Sequence, residues 1–202
     1  MRFVLITFML LGLFKIAHSQ DLKLIRVGGG IGYASPSGKG GSGGLLYYIE
    51  PGYQLKDQIL VGLRVERCVT TRASKENIGV SIDRAGITSA SLLAQYYFGD
   101  EAFRPYAGWG VGLYFLEEVF ANGELATGAE SKVGFFPRVG FELVHFNFSI
   151  DYNIIPTSKF VDGSSSVFNN SYFGFRIGAT FGGDTGSSQR YNPRKHKRIR
   201  SK

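Results

Sequence analysis

The sequence predicts an all-β protein, an eight-stranded antiparallel up-and-down β-barrel, from three observations. Large apolar side chains alternate with small or polar ones in eight segments. Glycine (28 of 202 residues) and aromatic residues (14%) are abundant, and hydrophobic residues make up 44% of the chain, which is typical of β-structure and unlike a disordered chain. The connections between the segments alternate between long and short, as in a closed meander of hairpins.

The alternation defines the strands and their faces. The eight segments span residues 24–33, 44–54, 59–66, 88–98, 104–118, 132–142, 146–154 and 172–181. The clearest is Phe146 to Ile154, in which even-numbered residues are large and apolar and odd-numbered residues are polar. Because successive side chains of a strand point to opposite faces, this segment has one apolar and one polar face.

The connections predict two different ends of the barrel. Residues 34–43, 70–86, 119–131 and 155–171 form long connections rich in Gly, Ser and Asn, whereas residues 55–58, 99–103 and 143–144 form short ones. Long loops therefore lie at one end, and tight turns lie at the other end together with both termini. A two-residue turn at Leu143 and Val144 would pair Phe141 with Phe146. Pro137 cannot donate to a ladder, so we expect a bulge or a water there.

The whole chain has a net charge of +7, and its excess of basic residues lies at the two ends. Residues 1–19 combine Arg2, an apolar stretch and the small-residue site Ala17-His18-Ser19, which indicates a signal peptide cleaved after Ser19. Residues 20–183 form the predicted barrel, whose charges nearly cancel, so we expect no nucleic-acid-binding face. Residues 184–202 hold seven basic residues and one acidic residue, which predicts a disordered periplasmic tail or a contact with an acidic partner in the envelope.

The charged residues decide which face of the barrel is inside. The polar faces carry four arginines and four carboxylates: Arg26, Arg64, Arg138, Arg176, Glu50, Glu66, Glu142 and Asp151. Their burial in an apolar cavity would be costly, but they can pair inside a polar lumen. The apolar faces would then contact lipid, with Trp109, Phe135, Phe146, Phe148, Phe173 and Phe175 among the lipid-facing residues. A soluble barrel or sandwich with the charges in water remains the alternative.

Aromatic residues near strand ends favour the membrane interpretation, because aromatic girdles lie at the two interfaces of a bilayer. They are Tyr33, Tyr53, Tyr96, Phe98, Tyr152 and Phe181. The sequence thus predicts a transmembrane barrel.

Candidate catalytic and cofactor motifs are weak. Gly38, Gly40 and Gly43 match a dinucleotide fingerprint by letter, but a strand pattern rather than a helix follows them. His18, His145 and His196 lie too far apart for a metal site of ordinary spacing, and Cys68 is the only cysteine. His145 beside Glu142 is a possible acid–base pair, although a hydrogen-bonded turn is the simpler interpretation. We expect no enzyme, no cofactor and no metal.

Three segments resemble one protein family. Arg104–Phe115 (RPYAGWGVGLYF), Pro137–Glu142 followed by Ser149–Asn153, and Tyr172–Gly178 are similar to strands of the small Gram-negative outer-membrane β-barrel proteins, the group of OmpW-like and OmpX-like proteins, in a Bacteroidota-type form. The resemblance covers roughly residues 21–183. It implies that the last strand is the signal read by the barrel-assembly machinery.

The sequence and the resemblance together predict an integral outer-membrane protein with a structural or surface-binding role, periplasmic termini and extracellular long loops. Three alternatives stay open. They are a narrow, OmpW-like channel for small solutes, an accessory component of an envelope secretion or assembly machine, and a lipid-modifying enzyme, which would need a Ser/His/acid cluster near the outer rim.

Overall fold

The computed structural model describes residues 24–38, 41–71, 73–74, 84–99, 102–121, 123–160 and 167–182. The predicted signal peptide and the basic tail lie outside these residues. Thirteen strands are present in the described part: β1 Ile25–Pro36, β2 Gly44–Lys56, β3 Ile59–Thr71, β4 Ala73–Ser74, β5 Arg84–Tyr97, β6 Phe103–Leu116, β7 Val119–Ala121, β8 Glu124–Thr127, β9 Glu130–Leu143, β10 Phe146–Asn153, β11 Ser158–Lys159, β12 Val167–Asn169 and β13 Tyr172–Gly182.

Eight of these strands close into an antiparallel barrel, which confirms the predicted fold class. Each long strand pairs with the next one along the chain, in the order β1, β2, β3, β5, β6, β9, β10 and β13. The first and last strands then pair with each other from Arg26↔Gly182 to Pro36↔Tyr172. The eight segments identified from the alternating pattern correspond one to one with these eight strands.

Long and short connections lie at opposite ends of the barrel, as their lengths predicted. At the long-loop end, β7 pairs with β8, and β11, β12 and β4 form a small separate sheet. Ala85, Val119, Ala126 and Phe168 form a buried apolar cluster there, against which Phe160 packs. The loops at this end thus have a small core of their own.

The hairpin between β9 and β10 differs from the prediction in its register. Phe141 pairs with Phe148 and Leu143 with Phe146, whereas we expected Phe141 to pair with Phe146. The turn residues are Val144 and His145, and Val144 has a φ of 58°, which hairpin turns of two residues require at their first position. The register is displaced by two residues, so every side chain keeps its predicted face.

At Pro137 we expected a bulge or a water, and the structure has no bulge there. Pro137 pairs with Trp109 in an unshifted ladder with β6. On the other side, the ladder with β10 ends at Asp151↔Arg138 and resumes with an isolated Phe135↔Ile154 bridge in the same register. Since proline lacks an N–H, the ladder is interrupted there rather than bulged.

Among the described residues, no helix has the length and apolar character to cross a bilayer.

Candidate functional site: the barrel interior

The interior of the barrel holds a buried quartet of two arginines and two carboxylates. Arg64 Nη1 lies 2.7 Å from Asp151 Oδ2, and its Nε lies 3.6 Å from Glu66 Oε2. Arg176 Nε donates to the same Glu66 oxygen at 2.8 Å, and its Nη1 donates to Asp151. Each carboxylate therefore contacts both guanidinium groups, and none of the four side chains is more than 1% exposed.

Polar and aromatic side chains complete the contacts of this quartet. Tyr172 donates its hydroxyl hydrogen to Glu66 at 2.6 Å. Asn153 donates to Asp151 at 2.7 Å, and its own oxygen accepts from Tyr114 at 2.8 Å. The Arg64 guanidinium also lies 3.8 Å from the ring centroid of Phe136, a favourable cation–π arrangement.

A second ion pair joins opposite sides of the barrel. Arg138 Nη1 lies 2.6 Å from Glu50 Oε2, and Arg138 Nη2 donates to Ser149 Oγ at 3.1 Å. The Glu50 side chain is 11% exposed. This pair joins β2 to β9, two strands that are not neighbours in the sheet.

A third group of charges lies at the short-turn end. Arg26 Nη2 lies 2.6 Å from both oxygens of Glu142. Glu142 also accepts from the Tyr97 hydroxyl at 2.9 Å, and Arg26 Nη1 donates to Gln54 at 3.2 Å. This group connects β1, β2, β5 and β9 across the interior near the tight turns.

The structure places all eight charged residues that the sequence singled out inside the barrel, each within an ion pair. Sequence reasoning missed a fifth buried arginine, Arg104, and the buried rings of Tyr97 and Phe136. The signal was available, since Arg104 alternates in phase with Tyr106, and Phe136 alternates in phase with Arg138.

Glycines leave room for the interior rings. A Cβ on Gly134 would lie 2.6 Å from the Tyr114 ring, and a Cβ on Gly140 would lie 2.7 Å from the Tyr106 ring. Such distances are far below van der Waals contact. Interior glycines therefore make space for the tyrosines that fill the barrel.

The outer face is apolar. Of the six residues predicted to face lipid, Trp109, Phe135, Phe146, Phe173 and Phe175 are exposed, whereas Phe148 is half-buried because its ring stacks 5.0 Å from that of Phe141. Aromatic side chains lie near both ends of the barrel. Tyr53, Tyr96, Phe98 and Phe181 lie at the short-turn end, and Tyr33 and Tyr152 lie at the long-loop end.

The suggested acid–base pair of His145 and Glu142 does not form. Glu142 is buried and bound to Arg26, while His145 is exposed in the turn and stacks on Phe181 with ring centroids 6.2 Å apart. Within the described ranges, no group of three or more His, Cys, Asp and Glu residues has the geometry of a metal site. Cys68 is buried in the apolar cluster with Leu46 and Tyr172.

Comparison with known proteins identifies the fold. No family model matches the sequence, and no curated protein sequence matches it significantly. Among solved structures, the outer-membrane protein OprG of Pseudomonas aeruginosa is 16% identical with a TM-score of 0.54, covering 78% of this chain and 95% of that chain. Neisserial surface protein A is 17% identical (TM-score 0.49; 77% and 94% covered), and the N-terminal β-barrel domain of Pseudomonas aeruginosa OprF is 15% identical (TM-score 0.46; 79% and 98% covered).

The similarity to OprG identifies the fold, because its TM-score exceeds one half and the match covers nearly the whole length of OprG. The closed ring of eight antiparallel strands is the architecture that the two chains share. The chain therefore has the fold of the small eight-stranded outer-membrane β-barrel proteins.

Proposed function

We propose that this protein is an integral outer-membrane barrel with a structural or surface-binding role, in which lipid contacts the outer face and paired charges fill the interior. One observation carries the proposal: burial is inverted with respect to a soluble protein. Arg64, Glu66 and Asp151 are buried, whereas Trp109 is 56% exposed and Phe146 is 59% exposed.

The apolar outer face is too extensive for a monomer in water. Large apolar side chains are exposed on all eight barrel strands, while a soluble monomer rarely exposes a contiguous apolar patch of more than about 300–600 Å². A bilayer removes this cost, because lipid tails are as apolar as the side chains. The soluble alternative would require a partner that covers the whole circumference of the barrel.

The filled interior supports a structural or binding role over bulk transport. Eight strands enclose a space just wide enough for side chains. Arg64, Tyr97, Tyr106, Tyr114, Tyr172 and Phe136 are each at most 2% exposed within it. Recognition would then belong to the loops at the long-loop end, where short strands and an apolar cluster give the loops a defined shape.

The single tryptophan tests which face meets lipid. Trp109 is the only tryptophan of the chain and lies on the outer face of β6. In vesicles that contain lipid brominated on its acyl chains, we expect strong quenching of Trp109 fluorescence. A matched variant, W109F/Y106W, moves the indole to the interior face of the same strand and should be quenched little. Equal quenching in both proteins, or none in either, would refute the proposed sidedness.

The orientation in the membrane is part of the proposal. Export of the chain with both termini at the short-turn end would leave that end in the periplasm and the long loops outside the cell. Glu118→Cys in a long loop should react with an impermeant maleimide on intact cells, and Asp57→Cys in a short turn should not. Both sites are exposed, so labelling of Asp57→Cys alone would reverse the orientation.

We propose two partners for a barrel placed in this way. We propose that the barrel-assembly machinery reads β13, whose outer side carries Phe173, Phe175, Ile177 and Phe181. We also propose that the basic tail contacts an acidic component of the periplasm, such as anionic lipid or an envelope protein. Co-purification with and without residues 184–202 tests the second contact, and loss of a bound component on truncation is the expected result.

A narrow path for small solutes is the second candidate, supported by the interior wall of β5. The hydroxyl groups of Ser89 and Ser91 are buried and find no hydrogen-bond partner in the described part of the chain, which is the setting of buried water. Conductance across a planar bilayer discriminates the two functions. Steady single-channel currents that change in Ser91→Leu would favour the path, and a silent bilayer would favour the plugged barrel.

A further inference from the structure

The described interior contains one more positive charge than negative charges. Its five buried arginines are Arg26, Arg64, Arg104, Arg138 and Arg176, and its four carboxylates are Glu50, Glu66, Glu142 and Asp151. Each carboxylate is bound to at least one arginine other than Arg104, at 2.5 to 2.7 Å. Arg104 forms no ion pair with any of the described residues.

Arg104 is nevertheless held in a defined position at the short-turn end. It is 5% exposed. Its Nη2 donates to the carbonyl oxygen of Asp57 at 2.8 Å, and its Nε donates weakly to that of Gly99 at 3.4 Å. Its guanidinium lies 4.3 Å from the ring centroid of Tyr97. The remaining nitrogen, Nη1, is buried and has no acceptor among the described atoms.

The carboxylate opposite Arg104 in the neighbouring strand is already bound to another arginine. Glu142 is the register partner of Arg104 across β6 and β9, but both of its oxygens bind Arg26 Nη2 at 2.6 Å. Two further donors near Tyr97 also lack acceptors, namely Arg26 Nε and Gln95 Nε2. Gln95 is held close to Tyr97, since its Oε1 lies 3.2 Å from the Tyr97 hydroxyl oxygen, whose single hydrogen is donated to Glu142.

We propose that this cluster, made of Arg104, Arg26, Gln95 and Tyr97, binds a small carboxylate anion at the short-turn mouth of the barrel. A buried charge without a counter-charge is strongly destabilising, and an anion would remove that cost. A planar guanidinium beside an amide donor suits carboxylate oxygens, which accept two hydrogen bonds side by side. Tyr97 provides an aromatic surface for the guanidinium to stack on.

Equilibrium dialysis with radiolabelled acetate tests the proposal on the full-length mature chain, refolded in detergent micelles and in chloride-free buffer. We expect one acetate per barrel in the wild-type protein and at least a tenfold loss of affinity in Arg104→Lys, which keeps the charge and removes the fork. The matched control is Arg67→Lys, an arginine paired with Glu117 on the outside of the barrel, which should bind acetate as the wild type does.

Heat-modifiable gel mobility, measured on every variant, separates loss of the site from loss of the fold. Should Arg104→Lys fail to fold, the number of acetate molecules bound per wild-type barrel tests the proposal on its own. Absence of acetate binding by the wild-type protein overturns the proposal, as does equal affinity in Arg104→Lys. If acetate binds only after D100N/E101Q, a carboxylate of the chain itself occupies the site in the wild-type protein. That result would overturn the proposal of an external ligand.

Discussion

Loss of the Asp151 charge should destabilise the barrel more than loss of any surface charge. The substitution Asp151→Asn keeps the shape of the side chain and removes the carboxylate that binds both Arg64 and Arg176. Both arginines would then depend on Glu66 alone. Since none of these side chains is more than 1% exposed, water does not replace the lost charge.

The magnitude follows from the two interactions that disappear. A pair of unit charges about 4 Å apart attracts by about 4 kcal/mol at an effective dielectric constant of about 20, so two pairs amount to about 8 kcal/mol. Burial of a neutral amide costs less desolvation free energy than burial of a carboxylate, and this difference offsets several kcal/mol of the loss. We therefore expect Asp151→Asn to lower the free energy of unfolding by about 3–5 kcal/mol.

Urea unfolding in detergent micelles, followed by the emission of Trp109, measures this change. The control is Arg67→Met, which breaks an ion pair of similar length, 2.6 Å, whose side chains are 35% and 50% exposed. An exposed pair is worth about 0–1 kcal/mol. Equal effects of Asp151→Asn and Arg67→Met on the free energy of unfolding would show that the interior screens charge as water does. That result would refute the claim that burial strengthens the interactions of Asp151.

The double variant R64M/D151N adds a second criterion. It removes one charge of each sign and leaves the bonds between Arg176 and Glu66, at 2.8 Å through Nε, in a neutral surrounding. Direct contacts of this kind give coupling energies of about 0.5–3 kcal/mol, and we expect the upper part of that range. Strict additivity of the two single changes would contradict the assignment of a shared buried pair.

Three further predictions concern the wall of the barrel. Gly134→Ala would place a Cβ 2.6 Å from the Tyr114 ring and should cost about 1–3 kcal/mol in urea unfolding through overpacking. Val139→Arg, on the outer face, should cost about 2–4 kcal/mol in lipid vesicles if it lies near the bilayer midplane. Phe181→Ala, in the last strand, should reduce the folded fraction in isolated outer membranes, measured by heat-modifiable mobility, because an outward aromatic of β13 is lost.

Each of these changes has a matched control. A Cβ on Gly128 meets nothing within 4 Å, so Gly128→Ala should be nearly neutral, and a similar cost at both glycines would refute the packing argument. Leu125→Arg changes an exposed residue of the β7–β8 hairpin, and a cost equal to that of Val139→Arg would mean that depth in lipid is irrelevant. Phe120 lies in β7 and outside the last strand. If Phe120→Ala and Phe181→Ala reduced the folded fraction equally, β13 would have no special role.

The sequence determines the faces of the strands more firmly than their register. A strand repeats every two residues, so the alternation around Phe141 and Phe146 specifies which side chains share a face. A displacement of the hairpin by two residues preserves every face, and for that reason the pattern did not distinguish Phe146 from Phe148 as the partner of Phe141. The positive φ of Val144 gives no signal in composition, since valine is uncommon in that conformation.

The partners inside the barrel were not predictable from spacing. Arg26 and Glu142 are 116 residues apart, and Arg138 and Glu50 are 88 apart. Alternation showed that these side chains point inward, but which pairs meet depends on strand tilt and stagger around the closed barrel. Arg104 is a different case: its alternation with Tyr106 indicates that it points inward, but its partners, the backbone oxygens of Asp57 and Gly99, were not predictable from spacing.

Glycine content and the filled interior have one physical cause. A barrel of eight strands has a small cross-section, so several of its large interior rings lie against a neighbour without a side chain. Gly134 lies beside Tyr114 and Gly140 beside Tyr106 in this way. A water-filled channel would not need such relief, because its wall side chains project into solvent. Glycine alternating with tyrosine on the inward face therefore indicates a barrel whose interior is packed by its own side chains, and Gly134→Ala tests that requirement directly.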